Sequence, residues 1–180
     1  PPTTRLMLEN AIAVIDFGSQ YTQLIVRRVR ELGYFSRLYQ PAELRDTGSP
    51  AAVILSGGPK STLDDDAPDI DFDYLRSLNV PILGICYGMQ LLNLKFGGKV
   101  KPGTTREYGP ATLKPAEGEN ALLTGVSESQ IWMSHSDTCV RADTATVLGS
   151  NQEEIPVALQ FADGVFGIQF HPEVSHSCLL

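Results

Sequence analysis

Cysteine is scarce in this chain: three residues in 180, with no C-x-x-C pair. An odd count at sparse spacing argues against a disulfide framework or a zinc ribbon and suits a reducing compartment. Cationic side chains are few as well. Fourteen Lys and Arg face 21 Asp and Glu, for a formal charge of -7. Such a surface repels phosphate backbones and anionic lipid headgroups, so neither nucleic acid nor membrane is expected as a partner. No apolar run approaches the roughly 20 residues of a membrane span. Residues 1–10 lack the cationic-then-apolar order of a secretory signal. A cytoplasmic location is therefore expected. Neither a phosphate loop nor a dinucleotide-binding G-x-G-x-x-G is present, so this chain is not expected to bind ATP or NAD itself.

What is present is enough apolar residue, 42%, for a sizeable core. Residues 1–10 are read as an N-terminal extension and 11–180 as one domain. Short apolar runs alternate with helical spacing in the first half. Ala11 to Asp16, Tyr34 to Tyr39, Ala51 to Leu55 and Val80 to Ile85 read as buried strands. Gln20 to Leu32, Ile70 to Leu78 and Gly88 to Phe96 read as helices, with Gly33 and Gly97-Gly98 at two of their ends. After residue 98 the runs shorten and Gly and Pro become frequent. Lys99 to Val100, Ala111 to Leu113, Gln130 to Met133, Thr146 to Leu148, Val157 to Phe161 and Val165 to Phe170 are expected as antiparallel strands. The fold class is α/β: an open, mostly parallel sheet, helices on both faces, and antiparallel additions in the C-terminal half. Sites in such sheets form beyond the carboxyl ends of the strands.

The sharpest local signal is Gly84-Ile85-Cys86-Tyr87-Gly88, where a predicted strand meets a predicted helix. It has the nucleophile-elbow pattern with Cys in place of Ser. The turn is so tight that side chains two residues either side of the nucleophile would clash, hence the glycines. A sulfur at a helix start is favoured as thiolate by the helix amides. The plainer alternative is a buried cysteine between two packing glycines. Among His135, His171 and His176, His171 has the best context. It follows a predicted strand and precedes Pro172-Glu173, and residues i and i+2 of an extended segment share a side. Glu173 can then accept from the imidazole, completing a Cys-His-Glu set; a histidine that merely caps a strand end is the alternative. His135 is equally compatible with a structural place and with a pocket wall, and His176 is expected at the surface. Ser56-Gly57-Gly58-Pro59 ends another central strand, and its glycines let backbone N–H groups approach a ligand. The amides of Gly58 and Tyr87 are the expected oxyanion hole. Asp64-Asp65-Asp66 lacks the spacing of a calcium loop, and no metal site is expected. Cys139 and Cys178 have neither helix-start nor glycine context.

Pro81 to Gln90, Leu55 to Pro59 and Gln169 to Glu173 together resemble class I (triad) glutamine amidotransferases. The flanking stretches Asp16 to Leu24, Arg106 to Gly109, Trp132 to His135 and Pro172 to His176 are similar to one member in particular. That member feeds ammonia to an ATP-dependent synthetase acting on xanthosine monophosphate. The resemblance spans about residues 11–176 and implies a flavodoxin-like sheet. It implies hydrolysis of L-glutamine to glutamate and ammonia through a glutamyl thioester. In that reading Cys86 is the nucleophile, His171 the base and acid, and Glu173 its orienting partner. Gly57, Gln90, Ser136 and Asp137 are the implied substrate contacts. Ser136 departs from the family pattern, which usually has Gly there; an added side chain would narrow the pocket or demand another backbone angle. The synthetase part is absent, so a separate subunit or a piece of a longer chain is expected. ATP and Mg are expected only in that partner, and no cofactor is expected in this chain. Arg106 to Gly109 is a candidate contact for it, or a plain surface turn. The rival readings are a γ-glutamyl hydrolase acting without a partner and a catalytically silent regulatory subunit.

Overall fold

The computed structural model describes residues 10–118 and 120–174, and for 104–106 the backbone alone. His176, Cys178 and all but the last residue of the expected extension lie outside the described residues. The elements run β1 (Ile12–Ile15), α1 (Thr22–Glu31), β2 (Ser36–Tyr39), a 3₁₀ helix (Pro41–Thr47), β3 (Ala52–Leu55), α2 (Phe72–Ser77), β4 (Ile82–Ile85) and α3 (Tyr87–Lys95). Five strands follow: β5 (Lys99–Pro115), β6 (Ser129–Val140), β7 (Thr146–Ser150), β8 (Pro156–Ala162) and β9 (Val165–Ile168). Among the described residues these strands form one sheet in the order β2-β1-β3-β4-β9-β8-β7-β5-β6.

The central strands are apolar throughout because both their faces are covered. Ala13 and Ile15 of β1 and Val53 and Leu55 of β3 face one core, with Leu75 of α2 and Leu92 of α3. Val14 faces the other, with Ile25, Val26 and Val29 of α1 and Ile131 and Met133 of β6. Gly33, at φ 92°, ends α1 in the left-handed conformation that the sequence suggested. No helix of the described residues is long and apolar enough to cross a membrane.

Three departures from the sequence reading have physical causes. Pro41 starts a short 3₁₀ helix held by a capping box, in which the Gln40 amide donates to Glu43 Oε1 at 2.8 Å. Pro102 and Gly109 do not end a strand. β5 is continuous past Pro102 and Gly109 and pairs with β6 from Lys99↔Val140 to Leu113↔Ser129, accommodating one irregularity between Pro102 and Glu107. The third is a correction. The Val165 to Phe170 run is not purely antiparallel: β9 pairs antiparallel with β8, as expected, but parallel with β4, Ile85 opposite Ile168. A local apolar pattern does not name a strand's neighbours.

Gly84 and Gly88 show why the β4–α3 turn needs glycine. A Cβ on Gly84 would lie 2.6 Å from the Gly88 carbonyl carbon, and one on Gly88 would overlap the Leu55 carbonyl oxygen. These neighbours are backbone and cannot step aside. Gly84→Ala should lower the free energy of unfolding by about 1–3 kcal/mol, read as a fall in the urea midpoint. An unchanged midpoint would mean that the turn is looser than described.

Candidate active site

Strand β4 ends at Ile85, and Cys86 turns the chain directly into α3 with φ 53° and ψ -105°. Positive φ in a non-glycine residue costs about 1–3 kcal/mol and persists only where its surroundings impose it. Here they do: the Cys86 amide donates to Ile168 O at 2.8 Å, and the Gly88 amide to Ser56 O at 3.2 Å. The first bond of α3 runs from the Gln90 amide to Cys86 O. The Tyr87 amide therefore lies ahead of the helical ladder.

The parallel pairing of β4 with β9 brings His171, three residues past Ile168, to the same sheet edge. Its Nδ1 donates to Glu173 Oε1 at 2.7 Å, and both side chains are buried. Tyr21 meets the imidazole edge-on, with ring centroids 5.3 Å apart. Gly57 sits against both the Cys86 and the His171 side chains. A Cβ there would be 3.1 Å from His171 Cε1 and 3.4 Å from Cys86 Cβ. Burial alone would lower the His171 pKa. Side-chain hydrogen bonds to Cys86 and Glu173, reinforced by their charges, outweigh it and raise it from 6.5 to about 10.

Cys86, His171, Gly58 and Tyr87 line one cavity of about 530 Å³, together with Gln90, Ser136 and Asp137. That volume suits a small-molecule ligand. Gly57 lies buried beneath the Cys86–His171 pair. Gln90 is buried, its Nε2 3.5 Å from both Asp137 O and Gln169 Oε1. Ser136 is exposed in β6 and does not adopt positive φ, so it needs no special backbone angle. His135, left open by the sequence, also faces the cavity; its Nδ1 bonds Asp137 O at 2.8 Å and its Nε2 lies 2.8 Å from Glu107 Oε2. The carbonyl can only accept, so Nδ1 carries a proton. Tyr108 is exposed at the rim, and the Arg106 side chain lies outside the described residues.

Sequence reasoning missed two residues. Gln169 Nε2 approaches Cys86 Sγ at 3.5 Å; its marks in the sequence were a polar residue inside an apolar run and a place at the start of the Gln169 to Glu173 block. Ser61 bonds the Asp137 carboxylate, which nothing in its local sequence suggested. Asp66 pairs with Lys60 at 2.6 Å, and Asp64 accepts from the Ser61 amide at 2.9 Å, so two members of the acidic run have bonds within their own loop. Burial, with Cys86 and Asp137 adding, pushes the Cys139 thiol up to about 12, which keeps it neutral.

An elbow cysteine, a histidine paired to a carboxylate, and a cavity at the carboxyl edge of a parallel sheet define a class. The chain belongs to the class-I glutamine amidotransferase family, whose model matches residues 13–178. Within it, the chain is similar to GMP synthase (glutamine-hydrolyzing) from Thermosipho africanus, 46% identical over 93% of this chain and 33% of that protein. The enzyme of that name from Cytophaga hutchinsonii is 47% identical over 92% and 33%. The chain thus spans about a third of the length of these relatives. A candidate GMP synthase subunit from Thermoplasma acidophilum superposes with a TM-score of 0.79 at 28% identity, covering 94% of this chain and 87% of its own. A glutamine amidotransferase from Thermotoga maritima, 19% identical, shares the fold with a TM-score of 0.70 over 92% and 77%.

The raised His171 pKa has a consequence for stability. A group whose folded pKa exceeds its unfolded value stabilises the fold fully below the unfolded value and loses that contribution as pH rises through the folded one. The stability difference between wild type and His171→Gln should therefore shrink between pH 6.5 and about 10. Urea midpoints across that range measure it, and a difference independent of pH would contradict the assignment.

Proposed function

We propose that this chain hydrolyses glutamine and supplies the ammonia to a synthetase that aminates xanthosine monophosphate. The observation that carries the reading is the convergence of Cys86 and the His171–Glu173 pair on one buried glycine, Gly57. Family membership supplies the substrate class.

In the proposed mechanism the Cys86 thiolate attacks the carboxamide carbon of glutamine. The amides of Gly58 and Tyr87 receive the tetrahedral oxyanion, each such donor lowering the barrier by about 2.7–4 kcal/mol. His171, protonated at neutral pH, gives its proton to the departing nitrogen, and ammonia leaves. The thiolate that helped raise the imidazole's pKa is now a thioester, so the neutral imidazole can act as base toward water. Hydroxide attacks the thioester, the thiolate departs, and glutamate is released with His171 reprotonated. Glu173 holds Nδ1–H and so points Nε2 at the reacting atoms. Gln90 and the Ser136–Asp137 segment hold the amino-acid end of the substrate. These steps use protein groups and water; ATP and Mg act in the synthetase. Free ammonia is lost once protonated, so the synthetase docks over the cavity mouth, with Tyr108 at the rim. A reducing cytoplasm keeps Cys86 reduced.

Cys86→Ala should reduce glutamate release from glutamine by about 10⁴-fold or more, followed by a coupled glutamate assay. Release at the wild-type rate would end the proposal. Turnover of a γ-glutamyl dipeptide in preference to glutamine would favour the partner-free hydrolase instead.

A further inference from the structure

In the cavity that contains Cys86, the loop after β3 reaches over to β6. Ser61 Oγ donates to Asp137 Oδ2, and the Leu63 amide donates to the same Oγ at 3.1 Å. The second bond fixes the first. A hydroxyl that accepts from an amide directs its single proton elsewhere, and here it goes to the carboxylate. Asp137 is anchored at its backbone as well, where its carbonyl meets His135 Nδ1 and Gln90 Nε2. The Ser61 amide is tied to Asp64 Oδ2 at 2.9 Å, which holds the loop in this shape. Ser61 and Asp137 both line the cavity that contains Cys86. The carboxylate is thus locked through one oxygen, leaving the other to accept from a cation.

We infer that Ser61 is a positioning residue that aims the Asp137 carboxylate at the α-ammonium of the substrate, and so sets selectivity for an α-amino acid amide. This rests on the glutaminase reading above. Without Ser61, Asp137 keeps its charge but loses its fixed plane. Binding of ligands that carry an α-ammonium then weakens, while the reactivity of Cys86 stays.

Two thiol reagents separate these effects, with modification of Cys86 followed by peptide mass spectrometry in the full chain. 6-Diazo-5-oxo-L-norleucine carries the amino-acid end of glutamine and alkylates a thiol with loss of N₂. Iodoacetamide has no amino-acid end and alkylates with loss of iodide. Ser61→Ala should slow labelling by the diazoketone about tenfold below saturation, the scale of one hydrogen bond to a charged group. Its labelling by iodoacetamide should match wild type, and Ser61→Thr should restore most of the diazoketone rate. Equal slowing with both reagents would reduce Ser61 to loop support and overturn the inference, as would no slowing with either. A wild-type Cys86 that iodoacetamide labels but the diazoketone does not would instead overturn the glutaminase reading beneath it.

Discussion

Strands β4 and β9 lie side by side and run the same way, although some 80 residues of chain separate them. This pairing is the constraint on which the site depends. Parallel neighbours deliver their carboxyl ends to one edge, so the residue after β4 and the loop after β9 must meet there. Had β9 paired antiparallel with β4, His171 would leave the sheet at the opposite edge from Cys86. The bond from the Cys86 amide to Ile168 O continues this ladder one step past the last paired residues and fixes the elbow against its neighbour.

Around that pairing the structure trades local comfort for placement. Cys86 adopts a backbone conformation that most residues avoid, and Gly84 and Gly88 remove the side chains that would obstruct it. His171 and Glu173 are buried polar groups, and their mutual hydrogen bond offsets part of the loss of water. The imidazole faces the Cys86 sulfur on one side and a carboxylate on the other, and their charges and hydrogen bonds outweigh the effect of burial. Preassembly of this kind lowers the reorganisation needed when charge develops on a bound substrate.

Much of this was legible in the sequence, for identifiable reasons. The buried strands announce themselves as apolar runs, and the elbow is legible because steric exclusion allows few residue types near Cys86. His171 and Glu173 were found through i, i+2 spacing around Pro172, a local relation. What escaped was non-local. The placement of β9 next to β4 depends on which edges remain free once the other strands are laid down. The length of β5 was hidden because Pro102 and Gly109 look like stops, yet the hairpin with β6 supplies enough paired backbone to carry the strand through them. Ser61 was invisible because its partner, Asp137, is 76 positions away.

The central claim is that Cys86 and Glu173 hold a proton on His171 at the shared edge of β4 and β9. The most direct measurement is a titration of the His171 ring by heteronuclear NMR, in the wild type and in Cys86→Ala. The account predicts that the wild-type imidazole keeps both ring protons well past neutrality, titrating near about 10, and that the cysteine substitution moves the transition downward. An imidazole that titrates close to 6.5 in both proteins would show that the sulfur and the ring do not share a proton, and would contradict the account.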